Sequence, residues 1–291
     1  MLDVISPFET PPVELRGSEA KVNGRAEIRF AKSGSETRLA HLYQHEPLRV
    51  LFPAPAGGDI PQAALVTTSG GLVGGDKMSI EIGADRGAAA IAIAQAAEKV
   101  YGSAGEDCVI GVDLRAEDGA WLEYLPQETI LFDGARLNRG TKIDAHPTAR
   151  VLAGEILVFG RIGRGERMNS GFVHDAWTVA SGGRAVWADA LHLDGDIGQA
   201  LDHPAGLGGA IAVATAVYVG PDAADNLDHA RGHFGETAGV IGGVSLVNGV
   251  LVARWIGEDQ LALRNSFAKY WAGLRARIMG YPAALPRLWH V

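Results

Sequence analysis

Short apolar or alternating segments, each ended by turn-forming residues, most constrain the fold of this chain. Its 291 residues include 39 glycines and 13 prolines, the residues that turn the backbone most readily. Apolar and polar residues alternate in Ala26–Lys32 and Gly111–Glu117, which is typical of strands with one face on a core. Strands about 8–12 residues apart favour a sandwich-like or coiled all-β body over a sheet with helical crossovers. Further strands are predicted at Leu48–Phe52, Ala64–Thr68, Met78–Ile82, Trp121–Tyr124, Thr129–Phe132, Arg150–Phe159, Phe172–Ala180 and Arg184–Leu193.

The alanine-rich segment Gly87–Lys99 is compatible with two structures. Alanine is the strongest helix former, so intrinsic propensity predicts a helix. The alternation around Ile91 and Ile93, after a turn at Gly87, is compatible with a strand. The residues by themselves leave both structures open.

The last third of the chain changes character. A strand is predicted at Ile211–Val219, followed by a polar helix from Pro221 to about Phe234. Asn248-Gly249 predicts a hairpin between Val240–Val247 and Val250–Ile256. An apolar stripe predicts a second helix over Glu258–Met279. We therefore expect a mainly β fold with two helices in its C-terminal third. Residues 1–19 would form a flexible arm, and residues 20–291 a single domain with a β-α-β-β-α portion (about 210–280) packed on it.

Charge and cysteine content exclude several classes of protein. The net charge is −8, from 26 basic and 34 acidic residues, so a nucleic-acid backbone would be repelled. The single cysteine, Cys108, permits neither an intramolecular disulfide nor a cysteine cage for a metal. It lies in an apolar run, which predicts a buried, inert thiol. The first residues lack the pattern of a signal peptide, and no apolar run reaches about 18 residues, so we expect a cytoplasmic protein without a membrane segment.

Motifs for catalysis are weak in this chain. The glycine-rich run Gly70–Lys77 has the spacing of a phosphate-binding loop, but Asp76 stands where that loop needs lysine. A carboxylate there would repel a triphosphate, so the glycines are expected to serve turns. No Gly-x-Ser-x-Gly or His-Glu-x-x-His motif occurs. A β-rich hydrolase using paired carboxylates remains an alternative function.

Asp225, His229 and His233 follow one another at intervals of four residues on the predicted polar helix. Such spacing places all three side chains on one helical face, where they could bind nickel or zinc. This pattern gives a second alternative, a nickel-binding storage protein. The simpler interpretation is a polar helix face in solvent.

Five ordered segments resemble a known family, the urease accessory protein UreD (also called UreH). They are Leu65–Asp76, Gln95–Tyr101, Leu125–Ala135, Leu152–Arg161 and Leu285–Trp289. The resemblance implies a non-catalytic scaffold that binds UreF and, through it, the GTPase UreG. That complex would dock on apo-urease and deliver nickel in a GTP-dependent step, with a homodimer inside the heterocomplex as one arrangement. The implied fold is a coil of strands with two helices, which favours a strand for the alanine-rich segment.

The resemblance also implies that buried polar residues line a path for nickel. Matched residue by residue, the candidates are Asp76 and Glu155, with Asp189 a weaker one. Single oxygen ligands hold a passing cation more weakly than a preformed histidine or cysteine cage, so transient Ni²⁺ and no tightly bound cofactor are expected. The structural alternative is that Asp76 caps a turn and Glu155 is a hydrogen-bonded core acid, because a buried acid is costly unless paired.

Overall fold

The computed structural model describes residues 21–290, so the predicted arm at residues 1–19 lies outside the described residues. The described part contains two β-sheets and a layer of helices. In chain order the strands are β1 (Asn23–Ser33), β2 (Glu36–His45), β3 (Leu48–Leu51), β4 (Gln62–Thr67), β5 (Lys77–Ala84), β6 (Ala89–Ala94), β7 (Glu98–Val100), β8 (Cys108–Ala116), β9 (Trp121–Leu125), β10 (Thr129–Leu131), β11 (Arg136–Ala145), β12 (Arg150–Phe159), β13 (Ser170–Ser181), β14 (Arg184–Asp196), β15 (Ala212–Val219), β16 (Val240–Val247) and β17 (Val250–Gly257). The α-helices are α1 (Ile197–Asp202), α2 (Leu227–Arg231) and α3 (Gln260–Met279), and short 3₁₀ turns occupy Ile162–Arg164, Ala224–Asn226 and Arg287–His290.

The chain coils between the two sheets. The first sheet has the order β14-β13-β11-β8-β5-β1-β2, and the second has the order β16-β17-β15-β12-β9-β6-β4-β3, with β7 and β10 attached at its side. From β4 to β13 each turn of the coil adds a strand to each sheet, and neighbouring strands within a sheet are parallel. The paired residues lie about 30 positions apart, as Leu137 with Cys108 and Ala89 with Trp121. The prediction of a mainly β, coiled body is confirmed.

The two sheets and the helical layer determine which residues are buried. One hydrophobic core fills the space between the sheets, and a second lies between the outer face of the second sheet and α3. Strand β8 alternates buried and less buried residues because its outer face meets solvent, whereas β9 is buried throughout. A sheet covered on both faces has nearly continuous apolar strands for this reason.

The alanine-rich segment forms strand β6, between β4 and β9. Ala90 and Ala92 face the core between the sheets, and Ile91 and Ile93 face the helical layer. Pairing on both sides and burial of both faces override the helix propensity of alanine. The strand that the family resemblance favours is confirmed.

The C-terminal third has the predicted order of elements, and β15 extends the second sheet by pairing with β12. The hairpin turn has positive φ at both Asn248 and Gly249, as a type I′ turn requires. Helix α3 begins where the carboxylate of Asp259 accepts hydrogen bonds from two backbone amides. The prediction of one helix from Pro221 to Phe234 is wrong in extent, because only a 3₁₀ turn and the short α2 form there. The short α1 has no counterpart in the sequence prediction. None of the described helices is long and apolar enough to cross a membrane.

Candidate functional site

Three ionisable side chains meet in the core between the two sheets. Arg139 of β11 and Asp175 of β13 are direct partners in the parallel register of the first sheet. Each lies on the inward face of its strand, in phase with apolar neighbours such as Leu137 and Val173. Glu155 of β12 faces them from the second sheet, and all three are buried. We call Arg139, Glu155 and Asp175 the Arg139 cluster.

The polar groups of the Arg139 cluster are hydrogen-bonded to one another and to Thr129 and Trp177. The guanidinium of Arg139 binds Asp175 in a fork, with Nε–Oδ1 and Nη2–Oδ2 distances of 2.9 and 2.7 Å. Its Nη2 also forms an ion pair with Glu155, and its Nη1 donates to Thr129 Oγ1 at 3.1 Å. Trp177 Nε1 donates to the other oxygen of Glu155 at 2.7 Å. Buried charges are tolerated when they are paired and hydrogen-bonded in this way.

The two carboxyl groups of the cluster differ in ionisation. Burial raises the pKa of Glu155 well above its ordinary value; Arg139 opposes that rise and the neighbouring Asp175 adds to it. Burial also disfavours the charged form of Asp175, but Arg139 outweighs this effect and lowers the Asp175 pKa. Asp175 is therefore the carboxylate that neutralises Arg139, and Glu155 retains its proton more readily.

Two cavities meet at the Arg139 cluster. The first, which we call the glycine-loop cavity, has a volume of about 250 Å³. Its lining includes Gly70 and Gly71 of the glycine-rich loop and the polar residues Thr67, Ser69, Gln95, Glu98, Lys99, Gln127, Thr129 and Arg139. The second, the Asp189 cavity, has a volume of about 210 Å³ and is lined by residues that include Glu155, Asp175, Trp177, Asp189 and Arg254. Because Arg139 contacts both carboxyl groups, the cluster separates the cavities by the width of its side chains.

Glu98 gives the glycine-loop cavity a second acidic group. Thr67 donates its hydroxyl to Glu98 Oε2 at 2.5 Å, and burial raises the pKa of Glu98. Glu98 has no arginine or lysine ion-pair partner within the described residues. A carboxyl group of this kind could exchange its proton for a cation.

Of the three carboxylates predicted for a nickel path, Glu155 and Asp189 line the same cavity. Asp189 lies on the edge strand β14, on the inward face that it shares with Trp187 and Leu191. Its side chain is still 38% accessible, and it forms an ion pair with Arg254 of β17. The backbone places these two residues together across the gap between the sheets, which no local pattern predicts.

Asp76 lies elsewhere and has the structural role that the sequence left as an alternative. It is buried, and its two carboxylate oxygens accept backbone N–H groups from Val22 and Val73, each at 2.9 Å. It thereby ties the glycine-rich turn to the start of β1. Asp76 lines neither of the two cavities. Nearby Cys108 is fully buried, as predicted.

The structure does not assemble Asp225, His229 and His233 into one site. Helix α2 ends at Arg231, so His233 lies beyond it, and exposed Asp225 belongs to the preceding 3₁₀ turn. The two histidines do meet, with their Nε2 atoms 3.2 Å apart. Within residues 21–290 no group of three or more His, Cys, Asp or Glu side chains is arranged to hold a metal ion. The expectation of three ligands on one helical face is therefore wrong.

Sequence reasoning missed Arg139 and Asp175, although each carried a signal. Leu137, Ile143 and Ala145 alternate along β11 and are buried, and this phase puts Arg139 on the inward face. The same holds for Asp175 between Val173 and Trp177. A charged residue in phase with buried neighbours points to a buried ion pair or a functional site.

The family model described as "UreD urease accessory protein" matches residues 22–290. The chain belongs to this UreD family. It is 42% identical to the urease accessory protein UreD of Magnetococcus marinus (strain ATCC BAA-1437 / JCM 17883 / MC-1) over 287 residues, covering 97% of this chain and 98% of that protein. It is 39% identical to UreD of Azorhizobium caulinodans over 266 residues, covering 91% and 95%, and 41% identical to UreD of Methylobacterium sp. (strain 4-46) over 261 residues, covering 88% and 90%.

Membership of the UreD family gives the protein a role as an accessory protein of urease. The family match covers nearly all the described residues, so both sheets, the helical layer and the Arg139 cluster fall within it. The Arg139 cluster and its two cavities are accordingly the candidate functional site of a UreD-family protein.

Proposed function

We propose that this UreD-family protein is a cytoplasmic, non-catalytic scaffold for the GTP-dependent insertion of nickel into apo-urease, acting in a complex with UreF and the GTPase UreG. The observation that carries the proposal is the buried Arg139 cluster, which lies between two cavities that each have acidic side chains in their lining. An accessory protein that only bridged its partners would have no need of acidic groups in its core, which are costly to bury. The family membership supports the link to urease.

Ni²⁺ is the cargo in this proposal, held transiently by single oxygen ligands. It would enter the glycine-loop cavity near Glu98, pass the Arg139 cluster, and leave past Glu155 and Asp189. Binding of a divalent cation favours loss of the Glu155 proton, because a positive charge stabilises the carboxylate. Arg139 would then release one of its two carboxylates, and Thr129 remains as its hydrogen-bond partner. Weak carboxylate and hydroxyl ligands suit a metal that must move on.

The hydrolase alternative has less support. Glu155 and Asp175 are the buried carboxyl pair that it would need, but Arg139 binds both groups. A general acid or base must reach the proton of a substrate, and here the carboxyl oxygens face Arg139 and Trp177 instead. This arrangement favours a scaffold over an enzyme.

Co-expression of the urease structural subunits, UreF and UreG, with and without this chain, tests the proposal. We expect the nickel content and activity of urease to fall when the chain is omitted or when GTP hydrolysis by UreG is blocked. We also expect the Glu155→Ala variant to reduce nickel content while it still co-purifies with UreF. Asp144→Asn is the matched control, because Asp144 lies on the solvent face of β11, the strand that carries Arg139. Unchanged nickel occupancy without the chain would overturn the proposal.

A second candidate, metal binding by His229 and His233, rests on the 3.2 Å separation of their Nε2 atoms. This pair could store nickel or hold it before transfer, without Asp225. Equilibrium dialysis of the His229→Ala/His233→Ala double variant against Ni²⁺ tests it, and binding equal to that of the wild type removes the pair from consideration.

A further inference from the structure

A second pair of histidines lies on the outer face of the first sheet. His174 of β13 and His192 of β14 are direct cross-strand partners in an antiparallel register. Both point to solvent, because their neighbours Val173 and Asp175 occupy the inward face. Their Nδ1 atoms are 3.3 Å apart, and their ring centroids are 5.5 Å apart at 69°. The two histidines are 18 positions apart in the sequence, so no local motif indicates that they meet.

The separation of the two nitrogens matches that of two ligands on one metal ion. Metal–nitrogen bonds of about 2.0–2.1 Å, at ligand–metal–ligand angles between octahedral and tetrahedral, place two imidazole nitrogens about 2.9–3.4 Å apart. The observed 3.3 Å falls in that interval.

The surroundings hold the rings in place and leave the site open. Phe172 packs edge-on against His192, with centroids 5.5 Å apart. The guanidinium of Arg136 stacks on the Phe172 ring. Its Nε donates to Asp107 Oδ1 at 2.7 Å, so the nearby positive charge is paired. Asp194, two residues beyond His192 on the same face of β14, adds a negative charge. No third His, Cys, Asp or Glu completes the group within residues 21–290, so water would fill the other positions of the metal.

We propose that His174 and His192 form a solvent-facing, two-imidazole site for a divalent transition-metal ion such as Ni²⁺. The strand register sets the spacing of the two imidazoles, so little ordering is needed on binding. Imidazole suits Ni²⁺, Cu²⁺ and Zn²⁺, and Cu²⁺ binds tightest among these ions at a nitrogen site. The site lies on the opposite face of β13 from the Arg139 cluster and does not depend on the proposed nickel path.

Metal titration of the full-length chain tests this site. The His229→Ala/His233→Ala double variant serves as the parent, so that the other histidine pair contributes nothing. We expect His192→Ala in that parent to weaken Ni²⁺ binding in equilibrium dialysis. Loss of a mere outer-shell partner already weakens metal binding about 10–100-fold, so loss of a ligand should weaken it at least as much. His41→Ala is the matched control, because His41 is an exposed histidine of the same sheet, hydrogen-bonded to Glu27.

Electron paramagnetic resonance of bound Cu²⁺ gives a second readout. We expect coupling to two imidazole nitrogens in the parent and to one or none in the His174→Ala and His192→Ala variants, with circular dichroism unchanged. Equal Ni²⁺ affinity and stoichiometry in parent and His192→Ala would overturn the proposal. So would a Cu²⁺ spectrum that neither substitution alters. A loss of binding in His41→Ala equal to that in His192→Ala would also contradict it.

Discussion

Glu155 illustrates how one buried carboxyl group couples stability to pH. Burial raises its pKa above the ordinary 4.5, against the opposing effect of Arg139. The folded protein therefore binds this proton more tightly than the unfolded chain. Its contribution to stability is fully present below pH 4.5, and it is lost as the pH rises through the folded-state pKa.

The Glu155→Gln variant isolates this effect, because glutamine keeps the shape of the side chain and cannot ionise. As the pH is raised above 4.5, the free energy of unfolding of the wild type should fall relative to that of the variant. Urea denaturation at a series of pH values above 4.5 measures the difference. A difference that does not change with pH would contradict the assignment of the retained proton to Glu155.

Among the three residues of its cluster, Arg139 should be the one whose substitution destabilises the fold most. Arg139→Met leaves Asp175 as a buried carboxylate without its counter-ion, and breaking a buried pair in this way costs about 3–5 kcal/mol. Arg38→Met is the control, since Arg38 pairs with Glu36 in solvent and should leave the urea midpoint nearly unchanged. Replacing Asp175 with leucine in the Arg139→Met background should recover part of the loss. Equal effects of the two arginine substitutions would contradict the prediction.

At the scale of elements, the contact between the second sheet and α3 depends on one glycine. A Cβ atom at Gly154 of β12 would lie 2.8 Å from Phe267 Cζ and 2.9 Å from the carbonyl oxygen of Thr215. Gly154→Ala must therefore push α3 away from the sheet, and overpacking of this kind costs about 1–3 kcal/mol. Gly140→Ala on β11 is the matched control, because nothing lies within 4 Å of its added Cβ. Urea denaturation should separate the two variants, and equal stabilities would show that α3 tolerates the shift.

Elements with local signals were predictable from the sequence. The Asn248-Gly249 hairpin and α3 each have their signal within a few neighbouring residues, a turn dipeptide in one case and an apolar stripe in the other. The alanine-rich β6 was undecided from its residues, because its strand state depends on neighbours in the sheet. The polar helix was predicted too long, since α2 stops at Arg231 and Gly232 caps its end.

For the whole molecule, the coil of strands explains both what was predicted and what was missed. Alternation along β11 and β13 indicates which residues face inward, so Arg139 and Asp175 could have been placed in the core. Their contact requires the register of two strands whose partners lie 36 residues apart. The placement of Glu155 opposite them also requires the packing of one sheet on the other. These long-range arrangements have no local sequence signature, so only the family resemblance pointed to Glu155 as a candidate residue of the proposed nickel path.

The layering also predicts where the molecule opens first. Strands β2 and β12 each contain 10 residues. Strand β12 pairs on both sides and is buried on both faces. Within residues 21–290, β2 pairs only with β1, and it is mostly exposed. Amide exchange in β12 should require global unfolding, and that in β2 only local opening of the edge. In hydrogen–deuterium exchange with mass spectrometry, peptides from β12 should thus exchange last and those from β2 early. Mild urea should speed exchange in β12 far more than in β2, because only global unfolding exposes much surface. Equal urea dependence in the two strands would mean that the sheets open as one unit, and the edge strand would then share the stability of the core.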